Sequence, residues 1–474
     1  MSALLLNSLI ASSVATALAV AFGFVTALFV SALPTRAQRV LVLAAIVALA
    51  LPPFVVVNCW LHYLGGTGVW RTWLNVDIFN LWGVAWLMAL MLWPLTFGAA
   101  WSAWRTLDSA HLDAEPSLSG FALVRWLLLP ATRNSIAAAA ILSFSLALNQ
   151  FSIPAILQVK VLPVEFWIRF NTNLRVGDAF AACWPIIVIP FVALFFLRQS
   201  DVRWPMEIAP ANARPFRRQL GPVLFTFTGI VAVLVVGLSV ALPLLQLLGS
   251  ARTWTELPQV FNATIPVITN TFLFAGCAAL LAVAISSLVW RFRLASLLWL
   301  LFLMPGMMLS LAIIWLFNRT LLEVIYRTAA VVIIALCLRC VGPVWALIRQ
   351  AVKSMDNALL EAARLEGLRG WAFFRHACLP RVAPAALAAW YMAYLLSLWD
   401  VETITLLYPP GSETLALRAF NLLHYGHTAQ VNGICLLLIG LAIAPALIYS
   451  VARALLFARP LPVGQSPTNA TLRR

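Results

Sequence analysis

Apolar runs of about twenty residues recur along nearly the whole chain, and no other feature limits its possible folds so strongly. They fall at about 4–32, 38–60, 80–103, 134–156, 179–197, 221–248, 266–290, 294–317, 328–350, 383–407 and 432–452. As a helix, each is long enough to cross the ~30 Å hydrocarbon layer of a bilayer. The expected fold is therefore all-α, a polytopic membrane helical bundle of about 11 transmembrane helices. Only 10% of residues are charged and 63% are hydrophobic, whereas about a quarter are charged in a soluble domain.

The formal charge of +15 does not indicate a nucleic-acid partner, because the basic residues form no stripe. They gather in short segments between apolar runs: Arg36 and Arg39, then Arg198, Arg203, Arg214, Arg217 and Arg218, then Arg291 and Arg293, and finally Arg453, Arg459, Arg473 and Arg474. The positive-inside rule puts all of these in the cytoplasm. An odd number of spans then leaves the N-terminus outside and the C-terminus in the cytoplasm. Cleavable-signal character is not expected, since the first apolar run is long and lacks a basic start. Cys183, Cys277 and Cys435 lie within apolar runs, which argues against a disulfide framework. Cys337 and Cys340 share a helix but lack the further ligands of a metal site, so no metal and no cofactor are expected.

One polar island stands out. Between apolar runs that end near Arg349 and resume after Arg381, the chain reads Ser354-Met355-Asp356-Asn357-Ala358-Leu359-Leu360-Glu361-Ala362-Ala363-Arg364-Leu365-Glu366-Gly367, continuing through Arg369-Gly370-Trp371 to Leu379-Pro380. Met355, Leu359, Ala362, Ala363 and Leu365 fall broadly on one side of a helix. Gly367 ends it, a second short helix over Arg369–Cys378 is expected, and Pro380 suits the start of the next span.

The spacing of Glu361-Ala362-Ala363, Gly367, Gly370 and Leu379-Pro380 resembles the EAA signature loop of ATP-binding cassette importer permeases. That resemblance implies a coupling helix docked on a separate cassette ATPase, in two copies, together with an external substrate-binding protein. It implies a bacterial inner-membrane location in the lipid bilayer. No phosphate-cradling Gly-x-x-x-x-Gly-Lys-Ser/Thr occurs in the sequence, so ATP hydrolysis is expected of the partner and no catalytic residue of this chain.

An earlier stretch repeats the pattern. Asp113-Ala114-Glu115 takes the place of Glu361-Ala362-Ala363, Gly120-Phe121 that of Gly370-Trp371, and Leu129-Pro130 that of Leu379-Pro380. Upstream, Leu51-Pro52-Pro53 echoes Met304-Pro305-Gly306. The expected organisation is two homologous permease halves: residues 1–197 with about five spans and a degenerate coupling loop at 104–133, a cytoplasmic linker 198–220, residues 221–452 with about six spans and the coupling loop 351–382, and a tail 453–474.

Ionisable residues inside a membrane default to functional or paired roles. Arg339 sits in mid-span, Asp400 and Glu402 near the outer end of 383–407, and Asn149 and Gln150 at the corresponding place in the first half. Two readings stay open, an Arg339–carboxylate pair that holds helices together and a lining of the translocation path. The stretch from Asp400 to Arg418, with Leu423-His424-Tyr425-Gly426, looks like that of fused ferric-iron-type permeases, which implies ferric iron or a related small solute as cargo. Thiamine and aminophosphonate permeases share the architecture. An ion-coupled secondary transporter is the rival from another class, and the polar coupling loop argues against it. His424 and His427 fall in a loop where packing or protein docking is a commoner role than metal ligation. Short outer-surface helices are expected in 157–178 and 409–431, from Phe166, Trp167, Phe170, Phe420, Leu422 and Leu423.

Overall fold

The computed structural model describes residues 2–105, 118–173, 213–292, 295–319, 322–355, 357–425 and 428–457, with scattered positions between 177 and 195. Among them every regular element is helical. In chain order the principal helices are α1 (Ser2–Ser31), α2 (Thr35–Ala50), α3 (Pro53–Leu64), α4 (Leu81–Arg105), α5 (Leu129–Asn149), α6 (Leu162–Asn173), α7 (Pro222–Val236), α8 (Ala251–Val289), α9 (Ala295–Leu303), α10 (Gly306–Phe317), α11 (Ala330–Lys353), α12 (Asn357–Leu365), α13 (Leu379–Leu398), α14 (Leu415–His424) and α15 (Thr428–Phe457).

Eight helices, some joined through a π turn, are long and apolar enough to cross a membrane. Two further runs, expected as single spans, are bent pairs: α2 and α3 meet at 91°, α9 and α10 at 114°. Proline causes both bends. Pro52 (ψ 139°) and Pro305 (ψ 135°) are extended, and Leu51 is extended before Pro52, as the clash with a following proline ring requires. With the pairs counted, the described residues hold up to ten spans, in a polytopic helical bundle. The remaining expected span, 179–197, lies mostly outside the described residues, as do residues 198–212 of the linker and 458–474 of the tail.

Two helix trios make the core. α1, α4 and α5 pack against one another, and so do α8, α11 and α13. Lipid chains are as apolar as leucine, so close approach rather than hydrophobic burial selects these contacts. The buried face of α1 accordingly carries Ala11, Ala15, Ala19, Gly23 and Ala27 at four-residue spacing, and that of α8 carries Thr271, Ala275, Ala278, Ala279, Ala282 and Ser286. Gly23 shows how tight the fit is: a Cβ there would come within 2.6 Å of the Trp93 carbonyl on α4. α7 packs against α1 of the first trio.

Candidate functional site

The polar loop folds as a short exposed helix followed by a turn. α12 carries Glu361, Ala362, Arg364 and Leu365 on its exposed surface, and Leu365 is 89% exposed. The helix ends in a Schellman motif: the N–H of Leu368 donates to the Ala363 carbonyl (3.1 Å) and that of Gly367 to the Arg364 carbonyl (3.0 Å). Gly367 has φ +83°, the left-handed conformation that glycine adopts without a Cβ penalty. Arg364 lies over the Phe373 ring at 5.4 Å, which folds the following segment back on α12.

The segment after it departs from expectation. Rather than a separate helix, Gly370–Phe373 is a helical turn that runs through a π turn, Phe374–Cys378, directly into α13. Pro380 is the reason, since it has no N–H and its ring crowds the preceding turn, and a widened turn relieves that crowding without ending the helix. Leu379 and Pro380 are both exposed there.

The same construction stands at the head of α5. Gly120 (φ +57°) opens a helical turn Phe121–Leu123, a π turn covers Val124–Leu128, and Leu129-Pro130 begin α5. Gly370 (φ +53°) matches Gly120, and the next residue is a 71%-exposed aromatic in both places, Phe121 and Trp371. The earlier loop is also tied to the segment ahead of α7, where the Gly120 N–H donates to the Gln219 carbonyl (2.8 Å). Asp113, Ala114 and Glu115 lie outside the described residues.

The intramembrane candidates converge where the trios meet. α13 stops at Leu398, so Asp400 and Glu402 sit in a loop beyond the helix, not within a span as the sequence predicts. Arg339 of α11 reaches them both, with Nε 3.1 Å from Asp400 and Nη2 2.8 Å from Glu402. Asp400 also accepts the Thr403 N–H and hydroxyl, each at 2.8 Å, which fixes the loop around the guanidinium. Gly306, just past the α9–α10 bend, lies against Arg339, Thr403 and Glu402.

This cluster is bonded to the other trio. The second oxygen of Glu402 accepts the Phe151 N–H at 2.9 Å, and the Asn149 side-chain amide donates to the Leu303 carbonyl. Gln150 is half-buried, and its backbone N–H caps α5 on the Ala147 carbonyl (3.3 Å). Asn149, Phe151, Phe166, Met307, Met308 and Glu402 help to line a pocket of about 10 Å³, room for one water-sized group.

Sequence reasoning missed a second buried contact between α3 and the C-terminal helices. The Asn58 amide donates to the Asn432 side chain (2.5 Å), whose own amide donates to the Thr253 hydroxyl (2.9 Å). The available signal was a lone asparagine within each of two apolar runs. Of the expected surface helices, α14 packs inward through Phe420 and Leu423, and Phe166 of α6 is also buried. His424 ends α14, and His427 lies outside the described residues. No group of three His, Cys, Asp or Glu able to hold a metal ion occurs among the described residues.

Residues 289–459 match the family model described as "Binding-protein-dependent transport system inner membrane component". The chain is 22% identical over 377 residues to the "Fe(3+)-transport system permease protein FbpB 2" of Haemophilus influenzae, covering 74% of this chain and 72% of that one. It is 25% identical over 204 residues to the "Spermidine/putrescine transport system permease protein PotC" of the same organism, covering 40% of this chain and 78% of the relative. With the "Putrescine transport system permease protein PotI" of Escherichia coli K12 it shares 28% identity over 101 residues, 21% of this chain and 36% of that one. The matched region of the family model thus holds α11, α12, α13 and the cluster residues Arg339, Asp400 and Glu402, in a stretch similar to inner-membrane transport components.

Proposed function

We propose that this chain is the permease subunit of a binding-protein-dependent ATP-driven importer, built from two fused halves. One observation carries the reading: a glycine at positive φ, an exposed aromatic, a π turn and a Leu-Pro step recur in that order at the heads of α5 and α13. An exposed aromatic repeated in the same frame at two helix heads suits two copies of one docking partner, a cassette ATPase. The trios α1/α4/α5 and α8/α11/α13 are the two half-cores, and α7 clasps the opposite half. Glu361, Ala362, Ala363, Gly367 and Gly370 form the second docking site, and Asp113, Ala114, Glu115, Gly120 and Pro130 belong to the first. Closure of the ATPase pair rocks the halves about their contact at Arg339, Asp400, Glu402 and Asn149. The N-terminus lies outside and the C-terminus in the cytoplasm, with a substrate-binding protein on the outer face. The cargo class that the relatives support is cationic, ferric iron or a polyamine.

The test is co-purification. The full chain expressed with a cassette ATPase of a binding-protein-dependent importer should retain that ATPase through size-exclusion chromatography and, in proteoliposomes, drive ATP-dependent uptake from the matching binding protein. Retention that survives replacement of the whole 357–370 segment by a Gly-Ser linker would sink the docking assignment.

A further inference from the structure

A basic groove opens at the head of α7, where that span begins. The short helix Ala213–Leu220 leads into it, with Phe216 and Leu220 buried one turn apart and Arg217 and Arg218 exposed between them. Gly221 (φ +76°) then turns the chain into α7. The groove at this turn measures about 520 Å³, within the range of pockets that hold small molecules, and its lining includes Arg217, Arg218, Pro222, Phe225 and Thr226.

The charge in the groove is all of one sign. Neither Arg217 nor Arg218 forms an ion pair among the described residues, and the sequence has no Asp or Glu between Glu207 and Glu256. Arg217 is also held in place. Its guanidinium lies over the Phe225 ring at 4.4 Å, and that ring packs on Phe29 of α1 at 5.2 Å. A guanidinium fixed through its face keeps its N–H edge for an oxyanion.

An apolar stripe continues from the groove. Val223, Phe227, Ile230 and Leu234 recur along α7 at three- and four-residue spacing, and all are exposed, Val223 by 80%. On a span such a stripe faces the acyl chains of the bilayer.

We propose that the groove binds the headgroup phosphate of an anionic phospholipid, whose acyl chains lie along the α7 stripe. A phospholipid carries its two parts in the order that this surface presents them, an oxyanion at the membrane boundary and hydrocarbon beside the span. A soluble phosphate would engage the arginines alone, so the two sources differ in whether hydrocarbon contributes to affinity. The helix that carries the arginines is tied to the turn ahead of α5: the Gly120 N–H donates to the Gln219 carbonyl at 2.8 Å, and the Phe216 ring packs on Trp104 of α4 at 6.2 Å. A lipid that fixes this helix therefore steadies Gly120 as well. The site stands apart from the permease reading and holds whatever the chain transports.

Native mass spectrometry of the full chain in detergent, with phosphatidylglycerol or phosphatidylcholine added, tests the site. Wild type should hold phosphatidylglycerol roughly tenfold more tightly than phosphatidylcholine. Arg217→Gln/Arg218→Gln should abolish that preference. Arg36→Gln/Arg39→Gln, which removes as much exposed charge from the start of α2, should keep it, and millimolar inorganic phosphate should leave the lipid bound. Hydrogen exchange in nanodiscs reads the position: the Gly120 amide should exchange more slowly in phosphatidylglycerol than in phosphatidylcholine, and Arg217→Gln/Arg218→Gln should erase the difference. Equal affinity for the two lipids overturns the proposal. So does an equal loss in the two double variants, which would reduce the effect to a general attraction between basic residues and acidic lipid. Displacement by inorganic phosphate would give the groove to a soluble anion, and exchange at Gly120 that ignores the lipid would place the binding elsewhere.

Discussion

Glu402 and Phe151 are joined by a 2.9 Å hydrogen bond in which a buried carboxylate from one helix trio accepts a backbone N–H from the other. Arg339 holds that carboxylate from the opposite side at 2.8 Å. The contact between trios therefore depends on a guanidinium that makes no bond across it, and removal of Arg339 should be felt at Phe151.

Arg339→Leu is expected to destabilise the chain by about 3–5 kcal/mol, because it leaves two buried carboxylates uncompensated. The triple variant Arg339→Leu/Asp400→Asn/Glu402→Gln should recover much of that loss, since neutral amides need no counter-charge. Thermal unfolding in nanodiscs measures both. A single variant as stable as wild type would mean that the carboxylates are not held as a charged cluster.

Gly306→Ala tests the same cluster by volume instead of charge. The added methyl would fall on the Arg339 guanidinium, 2.6 Å from the Thr403 hydroxyl and 2.9 Å from Glu402 Cβ. Displacing them should cost about 1–3 kcal/mol. Gly276→Ala and Gly440→Ala, where a Cβ meets nothing within 4 Å, should be neutral or slightly stabilising. Equal melting temperatures for all three variants would show that the cluster has slack around Gly306.

These side chains also show what the sequence could and could not reveal. Arg339, Asp400, Glu402 and Asn149 are legible because a polar group inside an apolar run is rare and expensive. Their convergence is not legible, since it depends on the bend at Pro305 and on α13 stopping at Leu398, and hydropathy windows register neither. The windows read 38–60 and 294–317 as straight spans because a proline bend leaves mean hydropathy unchanged. Lone Asn58 and Asn432 went unread for a similar reason, each being one polar residue in a run whose average stays apolar. The end of the loop helix was legible, because Gly367 occurs where a positive φ is needed and that need is local.

Glycine substitutions should separate the two kinds of turn. At Gly367 the left-handed C-cap tolerates asparagine, so Gly367→Asn should stay close to wild type while Gly367→Val loses about 1–2 kcal/mol. Gly120 (φ +57°, ψ −128°) lies outside the left-handed well, in a region that asparagine does not relieve. Gly120→Asn and Gly120→Ala should therefore be about equally harmful. Limited proteolysis of the loops alongside melting temperature reads both, and a rescue by Gly120→Asn would contradict the assignment.

Orientation can be tested with single cysteines in a background from which native cysteines have been removed. Ser250→Cys, between α7 and α8, should react with an impermeant maleimide applied to spheroplasts. Phe292→Cys, 60% exposed beyond the end of α8, should react only after permeabilisation. The basis is the positive-inside rule, with Arg291 and Arg293 beside Phe292. The reverse pattern would put both docking loops on the outer face, out of reach of an ATPase.

The paired aromatics give the sharpest test of the docking role. Phe121 and Trp371 each follow a positive-φ glycine and are 71% exposed, so truncation removes little buried surface. A docked partner would bury them, and exposed aromatics that become buried at an interface are frequent hot spots, worth about 2 kcal/mol or more. Trp371→Ala should therefore lower ATPase affinity roughly thirtyfold while leaving the melting temperature of the isolated chain unchanged. Phe121→Ala should weaken the complex less, because tryptophan offers the larger contact and because Asp113-Ala114-Glu115 departs from the Glu361-Ala362-Ala363 pattern. Surface plasmon resonance of immobilised nanodiscs with the purified ATPase measures the affinities, and proteoliposome ATP hydrolysis measures the coupling. If both variants bind and couple as wild type does, the aromatics face lipid or solvent and the repeated loops are not the docking surfaces. If Phe121→Ala proves the worse of the two, the first loop bears the larger share of the coupling, and the departure in its sequence is a variation in contact rather than a loss of one.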